Sequence, residues 1–430
     1  MQAEIVQLKQ QIQTFHKDST NSSKPPSSDF PKRNRSLREK SGKKSGGQVG
    51  HMGATRPLTD RPDKIVDCRP DTCQGCGKDL SGIEGTVHGK EQVADIPPIA
   101  PVVTQYNQIE ILCSCGTKNI GVLPHGASGV IRIGETIRSF VSYLNAEHHM
   151  PYDRLTILFA DLFNMTVSEG TIAAILSEAG EKGTPLYQTI KGMVNTTSYR
   201  GSDETGVRVN GKTWWEWVWQ NTKASYYVID SSRGYGVVEK TMPEEYQGVH
   251  VADCWCAQNN TKAKYHQLCH EHLKRDLDFL VQTSKSRWAY QMYCFIGKCR
   301  KARDALWKLP ETIRKLGITM YHRKLDSLLQ VLVTTKNEKT LLKRFLTHRD
   351  KILTFLDYPD VPPNNNSSEQ AIRKSKVKMK VSGGFRSEQG AKTYSILLSI
   401  IETCKKQHLN ILQAIQDVLR GVDISTQFAT

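Results

Sequence analysis

Apolar residues recur along this chain with two different periods, and the changes of period divide it into segments. At the start, Ile5, Leu8, Ile12 and Phe15 are spaced by three, four and three among Gln and Lys, which makes a heptad seam over two repeats. Two readings fit: the stub of a longer zipper, or an amphipathic first helix. From Lys17 to about Arg56 the pattern dissolves into Ser, Pro, Gly and Lys/Arg. Such a segment cannot bury enough apolar area to offset its chain entropy, so it predicts a flexible basic linker.

Helical spacing governs residues from about 131 to 193. Leu155 to Phe163 is apolar at that spacing, Asn164-Met165-Thr166 interrupts it, and Val167-Ser168-Glu169-Gly170-Thr171-Ile172 opens a further helix with Ser168 as its cap. The spacing is that of a helix-turn-helix, which would present its second helix to a major groove, and equally that of a plain helical hairpin.

The period then switches to two. Thr197 to Val209, Trp214 to Trp219 and Ala224 to Asp230 read as strands with short connections, suited to an antiparallel meander. The close alternation of the Trp residues points to hairpin packing rather than base stacking. Gly248 to Trp255 is a short buried strand ending on an acid, Asp253. From Tyr265 through Phe355 the chain reads as mostly helical. Pro362-Pro363 closes that region and leads into Asn364-Asn365-Asn366-Ser367-Ser368-Glu369. Ser367 or Ser368 is the expected cap of a helix that places Glu369 in its first turn, with Arg373 and Lys376 on the same face. A Gly-bearing turn over Val381 to Arg386 and an amphipathic helix from Thr393 to Gln407 follow.

Length and charge sharpen this picture. At 430 residues the chain calls for more than one domain. Its net charge of +16 is concentrated: eight basic residues and one acid lie between Lys32 and Arg56, six and one between Glu369 and Arg386. A polyanion, most simply nucleic acid, is the economical partner, with Lys43, Lys44, Arg373, Lys376 and Lys380 as phosphate contacts. No signal peptide and no apolar run near about eighteen residues is evident, which predicts neither export nor membrane insertion. The odd total of 11 Cys favours reduced thiols and metal ligands over a disulfide framework. Cys73 and Cys76, with Cys113 and Cys115, lie on Gly-containing turns. Together they offer four thiolates for Zn²⁺; buried free thiols are the alternative. Cys269 and His272, three apart on an expected helix, could contact a metal or simply pack in the core.

Asp203, Asp253 and Glu369 stand on a first strand, at a later strand end and at a helix start, separated by 50 and 116 residues. Three carboxylates sharing one site repel unless a divalent cation neutralises them, and hard oxygen ligands select Mg²⁺ or Mn²⁺. Two such ions about 4 Å apart can activate an attacking oxygen and stabilise a leaving one in phosphoryl transfer. Glu204 neighbours Asp203, but adjacent strand residues face opposite ways, so only one of the two can serve. No phosphate-cradling Gly-rich loop with Lys-Ser/Thr is present, so ATP hydrolysis is not indicated.

These residues together resemble the DDE transposases of the insertion-sequence-66 family, TnpC type. The resemblance runs in order through the zipper, Gly46-Gly47-Gln48-Val49-Gly50-His51, the Cys pairs, Ser202-Asp203-Glu204-Thr205-Gly206, Asp253-Cys254-Trp255, His266-Gln267-Leu268-Cys269, Pro362-Pro363-Asn364-Asn365 through Glu369, Lys380-Val381-Ser382-Gly383 and Phe385-Arg386-Ser387. It implies a multidomain α+β protein with a ribonuclease-H-like α/β catalytic core, a mixed sheet flanked by helices and carrying a helical insertion. It implies metal-dependent cleavage and strand transfer at terminal inverted repeats, with Asp203, Asp253 and Glu369 as the catalytic acids. Lys376 matches the basic residue placed against terminal DNA, and Cys269 with His272 matches a Cys-x-x-His found between the second and third acids in several such families. Self-association on DNA, small accessory proteins of the same element and a cytoplasmic, nucleoid-associated setting in a prokaryote are implied too. The expected domains are a zipper helix at 1–16, a basic linker at 17–56, a zinc-binding β module at 57–125, a helical DNA-binding region at 126–195, the catalytic domain at 196–404 with its insertion at about 259–360, and a tail at 405–430. The zipper is shorter than the family's usual coil. Two other functions stand beside this one: a non-catalytic DNA-binding remnant or regulator, and a nuclease or resolvase on the same core.

Overall fold

The computed structural model describes residues 50, 57–97, 99–123 and 133–428. The zipper segment and the basic linker with Lys43 and Lys44 lie outside these residues. The chain divides into two compact units, one of Asn34–Val102 and a larger one that includes Val103–Thr430.

In the smaller unit the Cys73–Cys76 segment is a tight turn. The Cys73 N–H donates to Lys78 O at 2.8 Å, the Gly77 N–H donates to Cys73 O at 2.8 Å, and Thr72 bridges Asp79. Gly77 has φ +73°, which is why a glycine follows the second cysteine.

Among the described residues of the larger unit, the first elements form a hairpin, β1 (Glu110–Leu112) and β2 (Lys118–Ile120), whose turn carries Cys113 and Cys115. Three helices follow: α1 (Glu135–Ala146), α2 (Tyr152–Phe163) and α3 (Glu169–Met193). Asn164 ends α2 in the left-handed region, and the Ser168 hydroxyl caps α3 by accepting the Thr171 N–H at 3.1 Å. Helix α3 buries Ile172, Ile175, Leu176 and Ala179. Its first two turns expose Glu169, Gly170, Ala173 and Ala174 and carry no basic side chain.

A five-stranded mixed sheet has the order β5-β4-β3-β6-β7. Strands β3 (Tyr199–Val209), β4 (Lys212–Gln220) and β5 (Ser225–Asp230) form the antiparallel meander. The β3–β4 turn is Asn210-Gly211, with φ +47° and +72°, the pairing that matches strand twist in a two-residue hairpin. Trp217 and Trp219 are fully buried, so they are core residues. After the short helix α4 (Tyr235–Thr241), β6 (Tyr246–Ala252) runs parallel to β3. A single turn, α5 (Cys256–Asn259), then leads to β7 (Ala263–Leu268), parallel to β6 with His250 opposite His266. The sequence reading of Tyr265 onward as helix is therefore corrected at its start. Helical spacing is present locally, but the free edge of β6 offers a ladder to these residues and buries Gln267 and Leu268.

The helical insertion comprises α6 (His270–Ser284), α7 (Arg287–Leu306), α8 (Glu311–Leu329), α9 (Lys336–Thr347) and the short α10 (Thr354–Asp357). It has its own core of Leu277, Trp288, Met292, Ile296, Leu325 and Phe345, continuous with Val249, Val251 and Leu268 of the sheet. Its two ends meet where the His270 N–H donates to Pro363 O at 2.9 Å. Beyond it lie α11 (Asn366–Ala371), α12 (Arg373–Ser382), α13 (Glu388–Lys406) and α14 (Ile411–Arg420). The last lies within the expected tail at 405–430. Asn410 caps α14 by accepting the Gln413 N–H at 3.0 Å, and Ile415 and Leu419 join the core of α1 to α3 with Leu397 and Ile401. No helix among the described residues is long and apolar enough to cross a membrane.

Candidate active site

Strand β3 carries Asp203, β6 ends one residue before Asp253, and Glu369 lies in α11. Parallel pairing of β3 and β6 sets the first two side by side. The Asp203 pKa is driven well above the usual carboxylate range, first by burial and then by the charges of Glu204, Asp253 and Glu369; among the described residues the three potential ligand groups within 4.8 Å of one another are Cys269, His272 and Glu369, not the three acids. Asp253 is oriented by the Trp255 N–H, which donates to its Oδ1 at 2.8 Å.

Glu369 reaches this site through contacts that the sequence did not disclose. The Asn365 side-chain amide donates to Ser202 O at 2.6 Å, and its backbone N–H donates to Cys269 Sγ at 3.2 Å. Gln220 donates to Ser368 Oγ at 3.3 Å. Helix α11 thus lies directly on β3, and only a glycine allows the approach: a Cβ on Gly201 would meet Ser368 Oγ at 2.6 Å and Asn365 Oδ1 at 2.8 Å. Asn365 precedes the helix as its cap residue and Ser368 lies within it, so the expected capping by Ser367 or Ser368 is corrected. Ile372 separates α11 from α12, and the Glu369 carboxylate turns to His272, 3.6 Å from its Nδ1, rather than joining Arg373 on one surface.

Glu204 faces Asp253 as well, but it is pinned by other groups. Arg233 donates to its Oε1 at 3.0 and 2.8 Å, and Gln258 donates to its Oε2. Arg233 in turn lies between Trp215 and Trp255, 4.5 and 4.0 Å from their ring centres. Burial and then Asp253 push the Glu204 carboxyl up to about 7, and Arg233 opposes them. Beneath the acids, Ser202 Oγ lies 3.0 Å from His250 Nε2 and donates to Gln258 at 3.0 Å. Neither Arg233 nor Gln258 bears a motif that sequence reading could isolate.

The charges of α12 are sorted. Arg373, Lys376 and Lys380 are exposed. Lys374 turns inward to Glu147 at 3.1 Å and Glu402 at 2.5 Å, and Lys378 is buried beside Asn145. Cys269 and His272 stand at the start of α6, and with Glu369 they form a group whose ligand atoms all lie within 4.8 Å. Burial pushes the Cys269 thiol up to about 11.

The two Cys pairs fall in different units. Backbone N–H groups of Gly75 and Cys76 lower the Cys73 pKa, and Thr117 draws Cys115 down to about 7. Both local turns therefore favour thiolate, the metal-binding form.

The Transposase IS66 family is matched over residues 131–393, more than half of the chain and every residue of the carboxylate site. This chain belongs to the IS66 transposase family. Residues 1–57 match a second family, described as a family of unknown function (DUF6444). A protein of Sinorhizobium fredii (strain NBRC 101917 / NGR234), described as "Uncharacterized protein y4jO", is 27% identical over 165 residues, covering 37% of this chain and 49% of that protein. The chain thus spans about half the length of this curated relative.

Proposed function

We propose that this IS66 family member is an active DDE transposase, which cleaves terminal inverted repeats and joins their 3′ ends to target DNA. What supports this reading is that Asp203 lies on β3, Asp253 follows β6, its parallel neighbour, and Glu369 lies on a helix packed on β3, with the charges of Asp253 and Glu369 both acting on buried Asp203. The strand order, an antiparallel meander extended by two parallel strands, suits a ribonuclease-H-like core.

The carboxylates fit Mg²⁺ or Mn²⁺. All are hard oxygen donors, burial and then its neighbours' charges raise the Asp203 pKa, and Glu369 Oε1 is buried with no hydrogen-bond partner, so a cation would relieve both. When bound, the metal supplies charge neutralisation and activation of an oxygen nucleophile. The chain's own residues do the rest. Asn365 and Ser368 hold Glu369 against β3, the Trp255 N–H fixes Asp253, and Arg233 with Gln258 keeps Glu204 off the reacting phosphate. Exposed Arg373, Lys376 and Lys380 lead from the acids along α12 as a phosphate-contacting edge. Zn²⁺ binding by the Cys73–Cys76 turn, and separately by the Cys113–Cys115 turn, extends the same proposal, supported by the local hydrogen bonds that lower the Cys73 and Cys115 pKa values.

The test is cleavage and strand transfer on a supercoiled plasmid carrying the element's ends, with Mg²⁺ and any small neighbouring gene products. Asp253→Asn should lower both by more than about a hundredfold, beyond the loss typical of groups that merely orient a metal ligand. Ends that are bound but left uncut by the wild type, even with Mn²⁺, would favour a DNA-binding remnant. Cleavage without joining would favour a nuclease.

A further inference from the structure

Two polar atoms at the rim of the carboxylate site have no hydrogen-bond partner although both are buried: His272 Nδ1 and Glu369 Oε1. They face each other at 3.6 Å, too far for a hydrogen bond. Leaving both unsatisfied is costly unless something bridges them. Two ligands each about 2.0–2.1 Å from a shared ion at a near-tetrahedral angle lie about 3.3–3.5 Å apart, so the observed gap is close to that of a ligand pair. The third member is Cys269 Sγ, within 4.8 Å of both.

This trio is firmly seated. The Cys269 N–H donates to Ala252 O at 2.8 Å, which ties the thiol to the end of β6, next to Asp253. Asn365, which fixes Glu369, also donates its backbone N–H to Cys269 Sγ. Cys269 precedes α6 as its cap residue and His272 follows three residues later in the first turn, and Glu369 approaches them from α11.

We propose that Cys269, His272 and Glu369 form a binding site for a soft divalent cation of the Zn²⁺ class, distinct from the hard-cation position between the aspartates. A thiolate and an imidazole select Zn²⁺ or Co²⁺ over Mg²⁺, and one carboxylate completes a three-ligand set with an open fourth position. Binding displaces the thiol proton to solvent. Because Glu369 belongs to both sets, an ion held by Cys269 and His272 withdraws it from Asp203 and Asp253, so zinc-class ions act as an off-switch. That last consequence rests on the catalytic reading of Glu369; the binding itself does not.

The experiment uses the full chain, stripped of metal by chelation and titrated with Co²⁺ under reducing conditions. Thiolate-to-Co²⁺ absorption is followed for the wild type, Cys269→Ser and His272→Gln. Thiolates at the paired-Cys turns contribute equally to all three, so the difference reads this site. One equivalent of the thiolate signal should disappear in Cys269→Ser, and affinity for that equivalent should fall at least about tenfold in His272→Gln. Equal stoichiometry and affinity in all three proteins would overturn the site. If Cys269→Ser does not fold, as checked by circular dichroism, His272→Gln decides alone, since His272 is only half-buried.

A second arm measures Mg²⁺-driven cleavage under rising Zn²⁺, each protein normalised to its own zinc-free rate. The half-inhibiting Zn²⁺ concentration should rise at least about tenfold in His272→Gln. An unchanged value beside altered Co²⁺ binding would refute the off-switch while leaving the site. A wild type that binds Co²⁺ through Cys269 but never cuts would refute the catalytic reading alone.

Discussion

Single residues here are held in protonation states that water would not allow. Glu216 is the clearest outside the candidate site: it is fully buried on β4, and burial pushes its carboxyl up to about 8, against a smaller opposing effect of Ser375. A carboxyl whose folded pKa exceeds its unfolded value near 4.5 stabilises the fold while protonated. That contribution is complete below about 4.5 and is lost as pH rises through about 8. Relative to Glu216→Gln, the wild type should therefore lose stability between pH 5 and 8, by up to about 1 kcal/mol per pH unit. Urea unfolding of both proteins across that range checks it, and a difference that is flat or rises with pH refutes the assignment. Glu204 follows the same sign with a folded value of about 7.

At the scale of elements, the contact between β3 and α11 decides whether the three acids meet. Gly201→Ala puts a methyl group within 3 Å of both Ser368 Oγ and Asn365 Oδ1. The expected cost is about 1–3 kcal/mol of overpacking, with α11 displaced and cleavage reduced well beyond the loss in stability. Unfolding curves and plasmid cleavage measured side by side separate the two effects; a variant that cuts like the wild type would show that Glu369 does not depend on this contact. The three candidate acids stand out in the sequence because each lies at a change of pattern: a strand, a strand end, a helix start. Asn365 and Gly201 do not. An Asn run before a helix reads as loop, and a Gly before Ser-Asp reads as nothing in particular; only a second element laid across the strand gives either its meaning. Strand β7 was hidden for a similar reason, since Tyr265 to Arg275 has helical spacing and only the unpaired edge of β6 makes its first part a strand. Likewise α14 buries its apolar face on helices more than 200 residues earlier, which no local window contains.

For the molecule as a whole, the proposed metal would be linked to stability. A divalent ion beside Asp203 would offset the burial and neighbouring charges that raise its pKa. Mg²⁺ at about a hundred times its dissociation constant should raise the unfolding free energy by about 2.7 kcal/mol, and a smaller rise is expected for Asp203→Asn. Thermal melts with and without Mg²⁺ at pH 7.5 test this, and identical shifts in both proteins would place the ion elsewhere. Charge is arranged at the same scale. Lys374 and Lys405 pair with Glu147 and Glu402, while Arg373, Lys376 and Lys380 are exposed.

The insertion from α6 to α10 leaves the sheet and returns to it at nearly one point, through the hydrogen bond from His270 to Pro363. Seen from the acids, everything between those two residues is a loop already closed. Doubling the length of a closed flexible loop costs only about 0.6 kcal/mol, so the connection around exposed Leu332, far along that excursion, is a natural seam for a genetically fused label or for evolutionary gain and loss of sequence. The catalytic geometry would register such a change no more than a doorway registers what is stored in the room behind it.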